Sequence, residues 1–490
     1  MKALRITYFI LFASLFAPSA MGQPKRTKIF NLASQASPVS QAARSSIASK
    51  REAKIVFDTA ALARGASLDN IEIPLFDGKT FTAERTSKEI RSLDDSTWRG
   101  KIDPNGKMPG DVVLTFRKGH VAGIIYSPDG VYEIVVRGDK HFLVELDQAA
   151  FPACAGDIEG EPVSEAADPT AGVDSGDRID VLVLYTAAVA ASLGGDAQAQ
   201  VLAQQAVDAT NTAYINSRIR QRVRLVGAQL TALTETGSFS TELSNLRGDA
   251  ATGILRNALN ADMVAMLTNS TGSCGIGYLM GGQGGNQNNA FTVTARTCAV
   301  GNLSFAHELG HNMGSQHNPE NGSGPTYPYA FGHYVNGSYR TVMSYVDPCT
   351  NGCTRVPYFS NPNVIFNGAP TGIPDARDNA RSIDNTADWI ANYRNSGSNL
   401  TLSSLNAGGM VRRGVSSTVN WTSDNVVGNV MIEMSRDGTA NWETLVADTP
   451  NDGSQTIAIR GRPTNQARIR VVSVANPSIS DSSVTNFRIQ

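Results

Sequence analysis

Apolar and polar positions along the chain divide it into six regimes. Lys2 and Arg5 precede an apolar run over residues 6–17, followed by Ala20-Met21-Gly22. A charged start, a short apolar core and small residues before a cut predict a secretory signal peptide over 1–22, cleaved after Gly22. The run is too short for a membrane anchor. Residues 23–51, rich in Ser, Ala, Gln, Lys and Arg, read as loosely ordered. From about residue 54 short alternating strands follow, clearest at 111–116, 131–136 and 141–146. Residues 155–177 are acidic and poor in apolar side chains, which predicts a linker. The period then changes: a buried strand at 178–186, helical spacing over 197–218 (Val201, Ala206, Ala209, Tyr214, Ile215), and strands at 223–230 and 262–267. A mobile Gly/Asn/Gln-rich loop is expected at 281–290, and a helix at 302–313 capped by Asn302 or Ser304. After Ser396-Gly397-Ser398, short strands near 419–422, 430–434, 455–459, 467–472 and 484–489 alternate with turns such as Arg436-Asp437-Gly438.

The expected architecture is therefore multidomain. A β-rich domain spans 23–176, an α/β domain 177–396, and an antiparallel β-sandwich of immunoglobulin-like or fibronectin-like type 398–490. A formal net charge of −2 gives no reason to expect a nucleic-acid partner. No internal apolar run is long enough to span a membrane. Export makes disulfides permissible. There are five cysteines: Cys154, Cys274, Cys298, Cys349 and Cys353. Near neighbours would pair as Cys274–Cys298 and Cys349–Cys353, although sequence leaves the other two connectivities of these four open. Cys154 is then left alone.

The chemistry concentrates in His307-Glu308-Leu309-Gly310-His311-Asn312-Met313-Gly314-Ser315-Gln316-His317. His307 and His311 stand four apart, so on a helix both imidazoles leave one face. Glu308 sits beside them, placed to take a proton from a metal-bound water. Gly314 can adopt the left-handed conformation that ends a helix and lets His317 return as a third ligand. Three protein ligands and an open fourth position describe a catalytic Zn2+ site. His333, the fourth histidine nearby, reads as a loop or core residue.

These residues match the signature of the metzincin zinc metalloproteases, and the chain resembles that family. Thr341-Val342-Met343-Ser344-Tyr345 resembles its Met-turn, with Met343 under the metal. The resemblance implies that Tyr345 stabilises an oxyanion, with a tyrosine merely packed in the turn as the alternative. Cys274-Gly275-Ile276-Gly277-Tyr278, the later cysteines, Tyr358-Phe359-Ser360-Asn361-Pro362 and Asp378-Asn379-Ala380-Arg381 look like secreted bacterial reprolysin-like proteases, in particular the peptidyl-Asp metallopeptidases. The likeness covers roughly residues 177–396. One departure is Asn318, where reprolysins usually place an acidic residue.

The resemblance implies a secreted endopeptidase acting on proteins or peptides, expected to be a monomer, with residues 23–176 as its propeptide. Phe151-Pro152-Ala153-Cys154-Ala155-Gly156-Asp157 is similar to the cysteine-switch segment of matrixin propeptides. Cys154 would occupy the open metal position and hold the enzyme latent; the alternative is a lone buried cysteine. Cleavage on the amino side of Asp is implied, which requires an arginine near the primed side. Arg340, Arg355 and Arg377 are the candidates, and sequence does not choose among them. The alternative function is a non-catalytic secreted binding or adhesion protein using the β-sandwich. The intact Glu308 argues against it. A toxin or adhesin whose proteolysis is incidental also stays open.

Overall fold

A computed structural model describes residues 26–33, 37–38, 48–58, 68–92, 94–106, 109–160, 178–280, 282–394, 399–405, 408–424, 426, 428–438, 441–475, 477 and 479–490. The expected signal peptide and residues 161–177 of the expected linker lie outside them.

The N-terminal region is a sheet of 11 strands. Asn70–Pro74, Thr80–Ser92, Asp95–Ile102, Gly110–Arg117, His120–Ser127, Gly130–Arg137 and Lys140–Leu146 form an antiparallel meander, and Ser49–Phe57 pairs with its last strand. Thr27–Lys28 pairs with Ile71 and Glu72, while Phe30–Leu32 pairs with residues 55–57 at the opposite edge. One short segment thus bridges both edges and closes the sheet into a barrel. Part of the stretch expected to be loosely ordered is therefore strand, with Ile29 and Phe30 buried. Its polar composition conceals two apolar side chains that a barrel needs to close.

Side chains along these strands alternate between two faces. Trp98, Val112, Leu114, Ile125, Tyr132, Ile134 and Leu143 fill the barrel. Val113, Ile124, Tyr126, Val131, Val144 and Leu146 point outward, yet are buried in one core with the neighbouring domain. Strands that alternate in sequence are thus covered on both sides.

That neighbour is an α/β layer. Its strands are β1 (Arg178–Tyr185), β2 (Arg222–Leu230), β3 (Met263–Thr268), β4 (Gly275–Leu279) and β5 (Phe291–Ala295), in spatial order β4-β5-β3-β1-β2. All run parallel except β4, which is antiparallel to β5. Its helices are α1 (Ala187–Leu193), α2 (Asp196–Asn216), α3 (Phe239–Gly248), α4 (Ala250–Ala258), α5 (Ser304–Asn312) and α6 (Asn379–Ala391). Residues 281–290, expected to be a mobile loop, include a turn of 3-10 helix and the buried Asn286 and Asn289. Asp157–Glu159 adds a further strand to the sheet, parallel to the exposed edge of β4.

Residues 399–490 form one sheet of three strands and one of six around a common core that includes Trp421, Ile432, Ile469 and Phe487. Arg178, the first residue of β1, forms an ion pair with the buried Asp424 of this module. No helix among the described residues is long and apolar enough to cross a membrane.

Candidate metal centre

Helix α5 carries His307, Glu308 and His311, all buried. Its start differs from the expected cap. The residue before it is Leu303, in the left-handed region at φ 54, and no side chain caps the helix. Asn302 is engaged elsewhere: its amide donates to Ser304 Oγ at 3.0 Å and its main-chain carbonyl accepts from Arg355 at 2.9 Å.

Gly314, at φ 76, turns the chain after α5, as expected. A Cβ there would meet Thr326 at 2.4 Å, so the turn needs glycine for space as well as for conformation. The turn returns His317 to the helix, with its Nε2 3.2 Å from His307 Nε2 and 3.1 Å from His311 Nε2. His307 Nδ1 lies 2.9 Å from the Val342 carbonyl and His311 Nδ1 lies 3.0 Å from the Ser315 carbonyl. A carbonyl only accepts, so each Nδ1 carries the proton and each Nε2 points a lone pair inward. Burial, reinforced by neighbouring histidines, holds His307 well below the usual imidazole range and pushes His317 down to about 2. Neutral imidazoles are the form that binds metal.

The thiol of Cys154 completes the cluster: one ligand atom from each of Cys154, His307, His311 and His317 lies within 4.8 Å of the others. A tetrahedral ion about 2.0–2.1 Å from each nitrogen sets them about 3.3 Å apart, near the spacing seen. Three imidazoles and a sulfur suit a borderline-soft ion such as zinc better than calcium or magnesium, which prefer oxygen.

Residues 153–159 reach this point along β4. Ala155 N–H donates to the Gly275 carbonyl at 2.8 Å, and Cys274 N–H donates to the Ala153 carbonyl at 3.0 Å. Cys154 Sγ lies 3.2 Å from Glu308 Oε1 and 3.2 Å from the Gly275 carbonyl. Burial, with the Glu308 carboxylate beside it, pushes the thiol well above its usual range. A bound cation would oppose that shift by favouring the thiolate.

Beneath the cluster lies Met343, fully buried; a Cβ on Gly310 of α5 would stand 2.6 Å from its sulfur. The Tyr345 ring centroid is 4.2 Å from that of His317, and its hydroxyl donates to the Cys154 carbonyl at 3.4 Å. The disulfide Cys274–Cys298 ties β4 to the approach to α5, and Cys349–Cys353 closes the loop after the Met343 turn. His333 is held away from the cluster, with Arg377 Nη1 3.5 Å from its Nδ1.

Two contributors escape a reading of the sequence alone. Gly275 and Gly277 lie on one face of β4, against α5. A Cβ on Gly275 would fall 2.4 Å from Glu308 Oε1, and one on Gly277 3.0 Å from the Glu308 carbonyl. The Gly-x-Gly spacing was the available signal, since it leaves one strand face bare. The second is Asn318, whose Oδ1 accepts Tyr345 N–H at 2.9 Å and the Ser344 hydroxyl at 3.4 Å. It fixes the turn that carries Met343 and Tyr345.

Comparison with known proteins agrees with this geometry. The reprolysin model of metallo-peptidase family M12 matches residues 175–360, and a BamI lipocalin-like domain matches residues 26–149. A peptidyl-Asp metalloendopeptidase of Stenotrophomonas maltophilia is 34% identical over 346 residues, covering 62% of this chain and 79% of the relative. A second from the same species is 33% identical over 347 residues, covering 65% of this chain and 81% of the relative. One from Xanthomonas campestris is 31% identical over 387 residues, covering 73% of this chain and 89% of the relative.

Proposed function

The chain belongs to the reprolysin-like metallopeptidases of family M12 and is a metalloendopeptidase, and from that premise we propose a zinc enzyme, secreted as a zymogen latched by Cys154, that cuts on the amino side of aspartate. The observation that carries this reading is the convergence of Cys154 with His307, His311 and His317, with Glu308 at its side. His307, His311 and His317 would hold the metal in the mature enzyme, and Cys154 would take the fourth position only in the latent one. Bound zinc supplies Lewis acidity, which makes a water easier to deprotonate and the scissile carbonyl easier to attack.

The side chains do the rest. Glu308 Oε1 accepts the proton of the attacking water and delivers it to the leaving amine. In the latent chain that same oxygen faces the Cys154 sulfur at 3.2 Å, so one thiol blocks both the metal position and the base. The Tyr345 hydroxyl, which donates to the Cys154 carbonyl in the latent chain, is free once residues 153–159 leave. It can then donate to the oxyanion of the tetrahedral intermediate. Residues 153–159 also cover the β4 edge that an extended substrate would need. The preference for aspartate is supported by the names of the relatives. Secretion is supported by the residues at 1–22 and by the two disulfides.

The test is digestion of a peptide library by zinc-loaded protein processed near residue 177, beside its Glu308→Ala counterpart, with cuts mapped by mass spectrometry. The expected result is cuts clustered before Asp, made only by the wild type, with zinc retained in both. Turnover in Glu308→Ala would refute the assignment of the base. Glu308-dependent cuts without acidic preference would refute the specificity.

A further inference from the structure

Arg340, Arg355 and Arg377 lie downstream of α5, and the sequence does not choose the specificity residue among them. Arg377 has a partner already: it pairs with Glu320 at 3.2 Å and lies over the Tyr334 ring. Arg340 and Arg355 differ. They are 3% and 5% exposed, and among the described residues neither has a carboxylate within ion-pair distance. Both donate to one acceptor, the Ser344 carbonyl, at 2.8 Å and 3.0 Å. Arg355 also donates to the Asn302 carbonyl at 2.9 Å. The Nε of each is buried with no hydrogen-bond partner among the described residues.

Two buried guanidiniums sharing a carbonyl, with no carboxylate in ion-pair contact, are costly, because buried cations normally carry a paired anion. Burial pushes both below the usual arginine range, Arg355 to about 10, and Arg355 adds to the shift of Arg340. The two carbonyls that Arg355 holds locate it: Ser344 precedes Tyr345, whose ring centroid lies 4.2 Å from that of His317, and Asn302 stands just before α5.

We propose that Arg355, backed by Arg340, is the specificity residue that receives the aspartate carboxylate of the substrate. This rests on the reading of the chain as an endopeptidase that cuts before aspartate. With Nη1 and Nη2 each donating one N–H to a carbonyl, the unpartnered Nε–H and the second N–H of Nη2 form a planar fork for a carboxylate. Its position is fixed, since Nη1 and Nη2 are each held by a backbone carbonyl. It cannot withdraw to admit the extra methylene of glutamate, so aspartate is favoured over glutamate. Arg340 holds the shared carbonyl and adds positive potential.

The experiment uses processed, zinc-loaded enzyme and matched peptides with Asp, Glu or Asn after the cut bond. Wild type is compared with Arg355→Gln, Arg355→Lys and Arg340→Gln by kcat/KM. In Arg355→Gln the loss falls about 100-fold more heavily on the Asp than on the Asn peptide. Arg355→Lys keeps part of the preference, and Arg340→Gln weakens it less. Equal slowing on all peptides would mean that Arg355 merely braces the Met343 turn, and would overturn the proposal. So would an unchanged Asp-to-Asn ratio in Arg355→Lys, the variant that decides should Arg355→Gln fail to fold. Wild type without any preference for Asp would instead overturn the reading beneath it.

Discussion

Glu308 has room to act because Gly275 has no side chain. A methyl at Gly275 would stand 2.4 Å from Glu308 Oε1 and push the carboxylate aside, while the three histidines lie on other contacts. Gly275→Ala is therefore expected to bind zinc as the wild type does and to lose about 100-fold in kcat, the usual consequence of a base misplaced by about 1 Å. Metal analysis beside peptide kinetics checks both halves. Asn318 raises a second residue-level point. Its oxygen holds the Tyr345 turn, while its amide donates to Glu320 at 2.9 Å and to Asn321 at 2.5 Å. An acid here would set a carboxylate against Glu320 and forfeit both donors. Asn318→Asp is thus expected to destabilise the protein by about 1–3 kcal/mol, read as a lowered Tm. His307, Glu308 and His311 were legible from sequence because helical spacing alone puts them on one face, and Gly314 because a turn must follow. The parts played by Gly275 and Asn318 were not, and Arg355 was legible only as one of three candidates, since each makes its contacts with segments far away in the chain.

At the scale of elements, α2 explains how the barrel docks. Asp208, fully buried in its middle, accepts from Thr97 at 2.5 Å and Thr115 at 2.6 Å, and pairs with Arg91 at 3.2 Å. Removing the carboxylate leaves two hydroxyls and a cation without it. Asp208→Ala should weaken docking by about 3 kcal/mol, seen as faster release of the barrel once the linker is cut. On a neighbouring strand, Glu133 faces α2 across a cavity of about 20 Å3 lined by Gln198, Leu202 and Gln205. Burial raises its carboxyl from 4.5 to about 8, with Arg296 opposing. The docked barrel therefore holds a proton that the separated one releases. Docking strength from this group is full below about pH 4.5 and is lost as pH rises to about 8. Barrel release after a linker cut should accelerate across that window in the wild type and stay flat in Glu133→Gln. The strand pattern around Glu133 was readable, since it alternates. That its polar face would be buried was not, because alternation cannot tell solvent from a second domain.

For the whole molecule, the proposed latency is put to the test at Cys154. If the thiol is the latch, full-length Cys154→Ala should cleave peptides without processing, whereas full-length wild type stays silent. The barrel would remain docked through Asp208, so the gain is expected to be partial and to rise when the linker is cut. Activity of the intact variant no greater than that of the intact wild type would locate latency in coverage of β4 alone. The succession of a strand-rich stretch, a mixed one and a second strand-rich one was legible as changes of period and composition along the chain. Closure of the barrel by residues 27–32 was not, because pairing between residues so far apart leaves no local trace.

The interface between the barrel and α2 is mixed in kind. The helix meets the barrel with Gln198, Gln204, Asp208, Thr212 and Asn216, side chains that water satisfies readily. The barrel answers with Thr97, Arg99, Lys101, Thr115 and Arg117, and its Ala122 and Val136 pack against Val201 of the helix. Were the barrel cut away, water would take over most of these partners at little cost, so the surface uncovered on α2 would be wettable around a small apolar patch at Val201.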